Sequence, residues 1–391
     1  MNVPSVTREQ VLQECGRVAG DLRPFECAWM YETAARIKPG GTWVEAGFAL
    51  TRSFLAAGLG LPRGAVLRGL TCSCGPAPAS AAAIPTEAES LRTVARLREL
   101  RPDLDIRVND GNLLPSADKI APGLVDVVYV QESHDGGWIA AQIEFWRPRL
   151  VPGGRLMGFG FGRLEWPAVT RAVVESLPGA STGIGAVWAW TPEPPLDEAV
   201  ELPRLSVIVA STGRPTLTKT LASIRAQRLL QGDEVLLVHD GQPAAQTVIA
   251  WDQARLPGEM LILAGGPHND WGATARTAGQ VRARAGHLLW QDDDDSYLPG
   301  AFDVIRREIL ATPEHILVFR MAYPSGLVLW AYPVVQVKNV STQMYVFPRT
   351  ANLGRWGTHY QGDFEFLQTT VAANPNRPAR FVNRPIVMYS R

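Results

Sequence analysis

The chain has 391 residues, and its 38 Lys and Arg residues balance 38 Asp and Glu residues, so the formal net charge is zero with the histidines neutral. An apolar fraction of 46% and a charged fraction of 19% suit ordinary cores and exclude disorder, a collagen-like repeat or a disulfide scaffold as the overall class. The balance also excludes the broad basic face with which a sequence-independent nucleic-acid binder displaces counterions, and the length favours two domains over one core.

The opening stretch, MNVPSVTREQVLQE, lacks the basic, apolar, small-residue order of a secretory signal. No apolar run approaches the roughly 20 residues that span a bilayer, so a soluble, cytoplasmic protein is expected. Val11, Leu12 and Val18, then Met30, Ala34 and Ile37, recur at helical intervals until Pro39-Gly40-Gly41 stops the helix. A strand over Thr42 to Gly47, a helix over Ser53 to Leu59 and a strand over Ala65 to Cys72 follow. Glu87 to Leu100 reads as an amphipathic helix, with Leu91, Val94, Leu97 and Leu100 three residues apart. Further strands are expected at Asp105 to Val108, Val125 to Val130, Gly154 to Gly160 and Ile184 to Trp190. This alternation predicts a doubly wound parallel sheet. The four cysteines, Cys15, Cys27, Cys72 and Cys74, all lie in this part and read as buried thiols, since the Cys72-x-Cys74 pair lacks a second Cys or His pair for a metal. His134 and Asp135 follow the fourth strand and suit a base or metal ligand, or else a turn with Asp135-Gly136-Gly137.

Thr191 to Pro203, TPEPPLDEAVELP, carries four prolines and four acids without periodicity, and reads as a linker. The boundaries expected are a first domain over 1–195, a linker over 196–203 and a second domain over 204–391. In the second, LSVIVAS forms a buried strand, followed by the turn Thr212-Gly213-Arg214-Pro215, a helix over Leu217 to Gln227 and the strand EVLLVHDG. A helix over Ala273 to Ala285 leads into the strand HLLWQ, which ends in Asp292 to Asp295. Parallel strands bring their carboxyl ends to one edge, so Ser211 and Arg214, Asp240 and the Asp run assemble one site. Four adjacent carboxylates repel one another, and a hard cation such as Mg²⁺ or Mn²⁺ resolves the repulsion. The alternative is a solvated acidic turn helped by Pro299-Gly300. Trp290, inside a strand, reads as core, Trp271 is open to a core or a ligand-facing place, and residues 339–349, NVSTQMYVFPR, are expected to form a strand whose Gln343 reaches a ligand hydroxyl.

The first half, through MYETAARIKPGGTWVEAG, LVDVVYVQESHDGGW and FWRPRLVPGGRLMGFGF, resembles the class I S-adenosylmethionine-dependent methyltransferases over most of residues 20 to 192. The resemblance implies a Rossmann-like fold in which Glu45, Gly47 and His134 lie near the S-adenosylmethionine site. The sequence departs from the family at Thr51, where a second glycine is common, and at LTCSCG, which offers no carboxylate for the ribose.

The second half resembles the family 2 glycosyltransferases of the GT-A fold across roughly residues 204 to 391, through SVIVASTGRP, HDG at His239 to Gly241, GPHNDWGATARTAGQVRARAGH and QDDDDSYLPG. Arg276-Thr277 stands where the family usually has Arg-Asn. The resemblance implies transfer of a sugar from a nucleotide-sugar donor, UDP-sugar favoured, to a glycan, glycolipid or natural-product acceptor. Ser211, Thr212 and Arg214 would line the donor pocket with Asp240 on the base, and Arg276, Asp292 and Asp293 would contact the remainder. Asp294, with Asp292, would hold Mn²⁺ or Mg²⁺. Asp363, after Gly362, matches the carboxylate base of an inverting transfer, or caps the helix over Phe364 to Thr370. Trp356 and His359 would meet the acceptor, and the stretch FVNRPIVMYSR is suited to pack on the first domain or on a second chain. The expected function is thus a metal-dependent glycosyltransferase on a methyltransferase-like partner domain. The alternatives are a bifunctional methyltransferase-glycosyltransferase and a non-catalytic sugar-nucleotide scaffold.

Overall fold

The computed structural model describes residues 6–47, 49–71, 86–109, 120–131, 135–197 and 199–390. Cys72, Cys74 and His134 lie outside them. The chain divides into two units, one of Met1–Ser176 with Ala180–Pro194, the other of Leu177–Gly179 with Pro195–Arg391.

The first unit is a seven-stranded sheet in the order β3-β2-β1-β4-β5-β7-β6, built from β1 (Thr42–Gly47), β2 (Val66–Thr71), β3 (Asp105–Asn109), β4 (Val125–Val130), β5 (Leu150–Gly158), β6 (Ser181–Ile184) and β7 (Val187–Trp190). The strands from β3 to β5 pair in parallel, and β7 runs antiparallel to both β5 and β6. Central strands of such a sheet are covered on both faces, which is why WVEA and VVYV read as continuous runs rather than alternating ones. Trp43, Phe54, Tyr129 and Met157 pack in one apolar cluster. The single strand expected over Ile184 to Trp190 is a hairpin instead. Gly185, at φ 56°, occupies its turn in the left-handed region that a tight hairpin asks of its first turn residue.

The helix over Glu87–Leu100 begins with a reciprocal cap, Thr86 Oγ1 accepting from Glu89 N at 3.3 Å while the Glu89 carboxylate accepts from Thr86 N at 2.6 Å. Its buried stripe is narrower than the sequence suggests, because Val94 and Leu97 are buried whereas Leu91 is 55% exposed.

The second unit is a nine-stranded sheet. Its parallel part, β10-β9-β8-β11, comprises β8 (Leu205–Ser211), β9 (Glu234–Asp240), β10 (Gly258–Leu263) and β11 (His287–Asp292). Beyond β11 the order continues β15-β13-β16-β12, with β12 (Asp295–Tyr297), β13 (Ile316–Ala322), β15 (Tyr345–Pro348) and β16 (Ala379–Tyr389), and β14 (Val328–Leu329) pairs with β13. Every residue of β8 is buried. The helix over Ala273–Arg282 lies close against it because Gly279 has no side chain, and a Cβ there would come within 2.4 Å of Ile208 Cγ2.

Asp233 anchors the start of β8. Its Oδ1 accepts from Leu205 N at 2.9 Å, its Oδ2 from Leu230 N at 2.7 Å, and the fully buried Arg306 guanidinium pairs with it. The strand expected over 339–349 is confined to Tyr345–Pro348 and is preceded by a 3-10 turn, Thr342–Met344, which aims Gln343 out of strand geometry. Among the described residues, no helix is long and apolar enough to cross a membrane.

Candidate active site

Three strand ends of the second unit converge. At the end of β8, Ser211 Oγ donates to Asp293 Oδ2 at 2.8 Å, Thr212 N donates to the same oxygen at 3.0 Å, and Gly213 N donates to Ser211 Oγ at 2.9 Å. Gly213, at φ 81°, closes this turn, and its Cβ position is blocked by Thr247 and His239. Asp293 is therefore consumed by the turn it organises, and its role is to hold the Ser211 to Arg214 loop rather than to offer a free carboxylate. At the end of β9, Asp240 accepts from His268 N at 2.9 Å and faces His268 Nδ1 at 2.5 Å.

At the end of β11 the acids part company. Asp292 Oδ1 accepts from Arg276 Nη2 at 2.6 Å and its Oδ2 from Gln343 Nε2 at 2.8 Å. Asp294 Oδ2 accepts from Arg214 Nη1 at 2.5 Å, and the same guanidinium lies 3.2 Å from Asp293 Oδ1. Asp295 accepts from Gln343 Nε2 at 2.6 Å and from Ser390 N at 3.1 Å. Asp293, Asp294 and Asp295 are each under 5% exposed, so the acidic run is not a solvated turn. Four carboxylates facing the two guanidiniums of Arg214 and Arg276 leave the cluster two formal charges negative, a costly state for desolvated groups. Asp292, Asp294 and Asp295 present one oxygen each within 4.8 Å of one another. Hard oxygen donors at that separation, with that charge deficit, fit a divalent cation such as Mg²⁺ or Mn²⁺.

Arg276 is 9% exposed, so it is not on a solvated helix face. Its guanidinium lies over the Trp356 ring at 5.0 Å, its Nη1 donates to Trp271 O at 2.6 Å, and its Nε is buried with no hydrogen-bond partner among the described residues. The guanidinium is thus held by its Nη atoms and the Trp356 face, with its Nε occluded.

Asp363 stands in the first turn of the helix over Gly362–Ala373. Its Oδ1 accepts from Phe364 N at 2.7 Å, and Tyr345 Oη donates to its backbone carbonyl at 3.2 Å. Burial raises the pKa of the Asp363 carboxyl above its ordinary value; the Phe364 N–H and the Arg276 charge oppose the rise, and the Asp292 charge adds to it.

Two cavities meet here. One of about 430 Å³ is lined by Ser211, Thr212, Arg214, Asp240 and Asn269, and the other, of about 420 Å³, by Asp294, Asp295, Asp363, His359 and Tyr360. Trp271, Arg276 and Asp292 line both. Trp271 has a φ of 58°, which for a bulky residue costs on the order of 1–3 kcal/mol.

Two expectations are corrected. Trp356 is 8% exposed, stacks on Phe366 at 3.8 Å and also packs against Trp290, so it is a core residue beneath Arg276 and not an acceptor-facing one. Gln343 lines the second cavity, but both N–H bonds of its amide go to Asp292 and Asp295, so it braces the acidic run. His359 does line the second cavity, and its Nε2 lies 3.1 Å from Glu365 Oε1. Trp290 is fully buried, as expected.

Nothing in the sequence signalled His268, nor the partners that Asp295, Gln343 and Tyr360 take in the fold. Asp295 sat in plain view in the acidic run. The partners of the other three lie 20 or more positions away, so no local spacing signals them.

In the first unit, Glu45 is fully buried, with Ser53 Oγ donating to its Oε1 at 2.7 Å and Gln131 Nε2 at 3.1 Å. Gln131, just beyond β4, also donates to Thr51 Oγ1 at 2.9 Å and accepts from Ala49 N at 3.0 Å. A Cβ on Gly47 would fall 2.2 Å from Gln131 Cβ. The crevice between β1 and β4, where open parallel sheets bind ligands, is thus occupied by the Gln131 side chain. Asp135 Oδ1 accepts from Gly137 N at 2.9 Å and caps a helix, the turn alternative.

Residues 206–368 match the family model described as glycosyl transferase family 2. Among solved structures, the chain is similar to S. aureus TarS, at 16% identity and a TM-score of 0.39 over 48% of this chain and 37% of that one. It is also similar to S. aureus TarS 1-349, at 17% identity and a TM-score of 0.38 over 48% of this chain and 60% of that one. A third similar structure is TarS 1-349 in complex with UDP-GlcNAc, at 16% identity and a TM-score of 0.38, over 48% of this chain and 58% of that one. The chain therefore spans between about a third and three fifths of the length of those chains. A search of the curated proteins returned no match. The second unit carries a glycosyl transferase family 2 domain over residues 206–368.

Proposed function

We propose that the second unit is a metal-dependent glycosyltransferase that moves a sugar from a nucleotide donor, UDP-sugar favoured, to an acceptor hydroxyl with inversion, and that residues 204–391 form its domain. One observation carries the reading: the carboxylates of Asp292 and Asp294 and that of Asp363 line one cavity, which shares a wall with the cavity of Ser211, Arg214 and Asp240.

In this reading the Ser211 to Arg214 turn and Asp240 receive the nucleoside end. Asp294, with Asp292 and Asp295, would hold a divalent cation, which would supply Lewis-acid neutralisation of charge on the departing diphosphate. Arg276 adds a preorganised positive charge on the wall that both cavities share. Asp363, whose burial makes its carboxylate a stronger base than usual, takes the acceptor proton. The acceptor is a glycan, a glycolipid or a natural-product hydroxyl.

For the first unit we propose a methyltransferase-like scaffold over residues 1–195 that does not accept S-adenosylmethionine in its family's manner. The parallel order β3-β2-β1-β4-β5 supports the likeness, and the Gln131 side chain in the β1–β4 crevice supports the altered site. The whole is tested by incubating the protein with UDP-, GDP- and dTDP-glucose, Mn²⁺ and a panel of sugar acceptors. Transfer that requires Asp363 and Asp294 supports the reading; binding of S-adenosylmethionine with methyl transfer would make the bifunctional alternative correct.

A further inference from the structure

Of the three residues common to both cavities, Arg276 and Asp292 are charged and paired with each other, while Trp271 is an indole with no core role. Trp43, Trp146, Trp188 and Trp290 are all fully buried; Trp271 is 61% exposed. Its left-handed backbone is unfavourable for a bulky residue, and contacts on both sides enforce it. Asp270 Oδ1 accepts from Gly272 N at 3.1 Å and Oδ2 from Thr274 N at 2.9 Å, pinning the chain before and after. Arg276 holds the Trp271 carbonyl, and a Cβ on Gly272 would crowd Arg276 Nη1 at 3.1 Å. Tyr360, from the loop ahead of Asp363, meets the indole edge-to-face at 5.7 Å. Backbone strain maintained to hold an exposed ring between two cavities is characteristic of ligand contact rather than packing.

Resting on the donor reading above, we propose that Trp271 is a specificity-determining residue that covers the glycosyl group of the donor. A nucleotide-sugar with its nucleoside beside Ser211 and Asp240 and its reacting carbon near Asp363 must lay its sugar along the shared wall. A pyranose has a face of C–H bonds and an edge of hydroxyls. The indole matches the face, and Arg276 and Asp292 match the edge. In this placement the sugar, rather than the diphosphate, is laid against the ring, so Trp271 discriminates the sugar-bearing donor from the spent nucleotide.

The test is calorimetric titration of the full chain with Mn²⁺ and the pairs UDP and UDP-glucose, GDP and GDP-mannose, and dTDP and dTDP-glucose, on wild type, Trp271→Ala, Trp271→Leu and Trp271→Phe. For the pair that binds wild type, Trp271→Ala and Trp271→Leu are expected to lose affinity for the sugar nucleotide by about tenfold, the scale of one aromatic contact, while affinity for the diphosphate stays within about threefold. Trp271→Phe, which keeps a ring, recovers most of the loss. Equal loss for both ligands would make Trp271 a mere support of the loop, and no loss in any variant would remove it from the site; either overturns the inference alone. If wild type binds none of the six ligands, the donor reading itself falls.

Discussion

Arg276 Nη2 donates to Asp292 Oδ1 across 2.6 Å, joining the helix over Ala273–Arg282 to the end of β11, and both residues line both cavities. Removing the guanidinium takes away the positive charge nearest the proposed leaving group and leaves the acidic cluster three charges negative. Arg276→Ala is expected to lower transfer by a factor of about 10², as for other preorganised donors, and to lower stability by about 1–3 kcal/mol. Steady-state rates and urea unfolding read the two effects separately. Full activity in this variant would remove Arg276 from the machinery.

Asp363 makes a pair of opposed predictions. Its pKa is raised in the fold, so the native state binds this proton more tightly than the unfolded chain, and stability is lost as pH rises from the ordinary carboxylate value through the raised one. Asp363→Asn carries no such penalty and should melt higher than wild type at pH 7, while transfer falls by about 10² or more with donor affinity retained. The acid limb of the wild-type pH–rate profile should lie above the usual carboxylate range. A variant that loses stability together with activity would indicate a structural cap, not a base.

Glu45 is a second pH probe, in the other unit. Full burial pushes its carboxyl up to about 8, with the Ser53 hydroxyl opposing. The group is neutral in the fold at pH 7, and stability should decline between about pH 4.5 and 8, approaching about 1.4 kcal/mol per pH unit where only the native state holds the proton. Glu45→Gln should flatten that decline. Unfolding curves across the range check it, and an unchanged slope in the variant would show that Glu45 is ionised in the fold.

Asp233 and Arg306 form a buried pair at the start of β8, where Asp233 also accepts two backbone N–H groups. Asp233→Asn leaves the Arg306 charge desolvated and should cost about 3–5 kcal/mol. Replacing Arg306 alone by Met should cost a similar amount for the reverse reason. Chemical denaturation measures both.

Much of this was readable in advance because parallel α/β units write their topology as alternating strands and helices. LSVIVAS, EVLLVHD and HLLWQ form the strands expected, and their ends deliver Ser211, Asp240 and Asp292 to one edge. What was not legible depends on distance along the chain. Asp293 and Asp294 are neighbours in sequence, yet one is spent on the β8 turn and the other on the Arg214 guanidinium, a division that only the fold makes. Trp356 looked like an acceptor platform beside His359, but stacking on Phe366 draws it into the core. Gln343 lies in what reads as a strand, and the 3-10 turn that redirects it is set by tertiary contacts that local propensity does not encode.

The proposed transfer depends on a cation-dependent nucleotide site held by Asp294 in the second unit. Its most direct test is the melting temperature of wild type and Asp294→Ala with UDP, GDP, dTDP and CDP, each with and without Mn²⁺, alongside S-adenosylmethionine, since a ligand that binds only the folded state raises stability by mass action. The expected result is a rise with one nucleotide, dependent on Mn²⁺ and absent in Asp294→Ala. A rise that persists without Mn²⁺ or in the variant, or one given by S-adenosylmethionine alone, would contradict it.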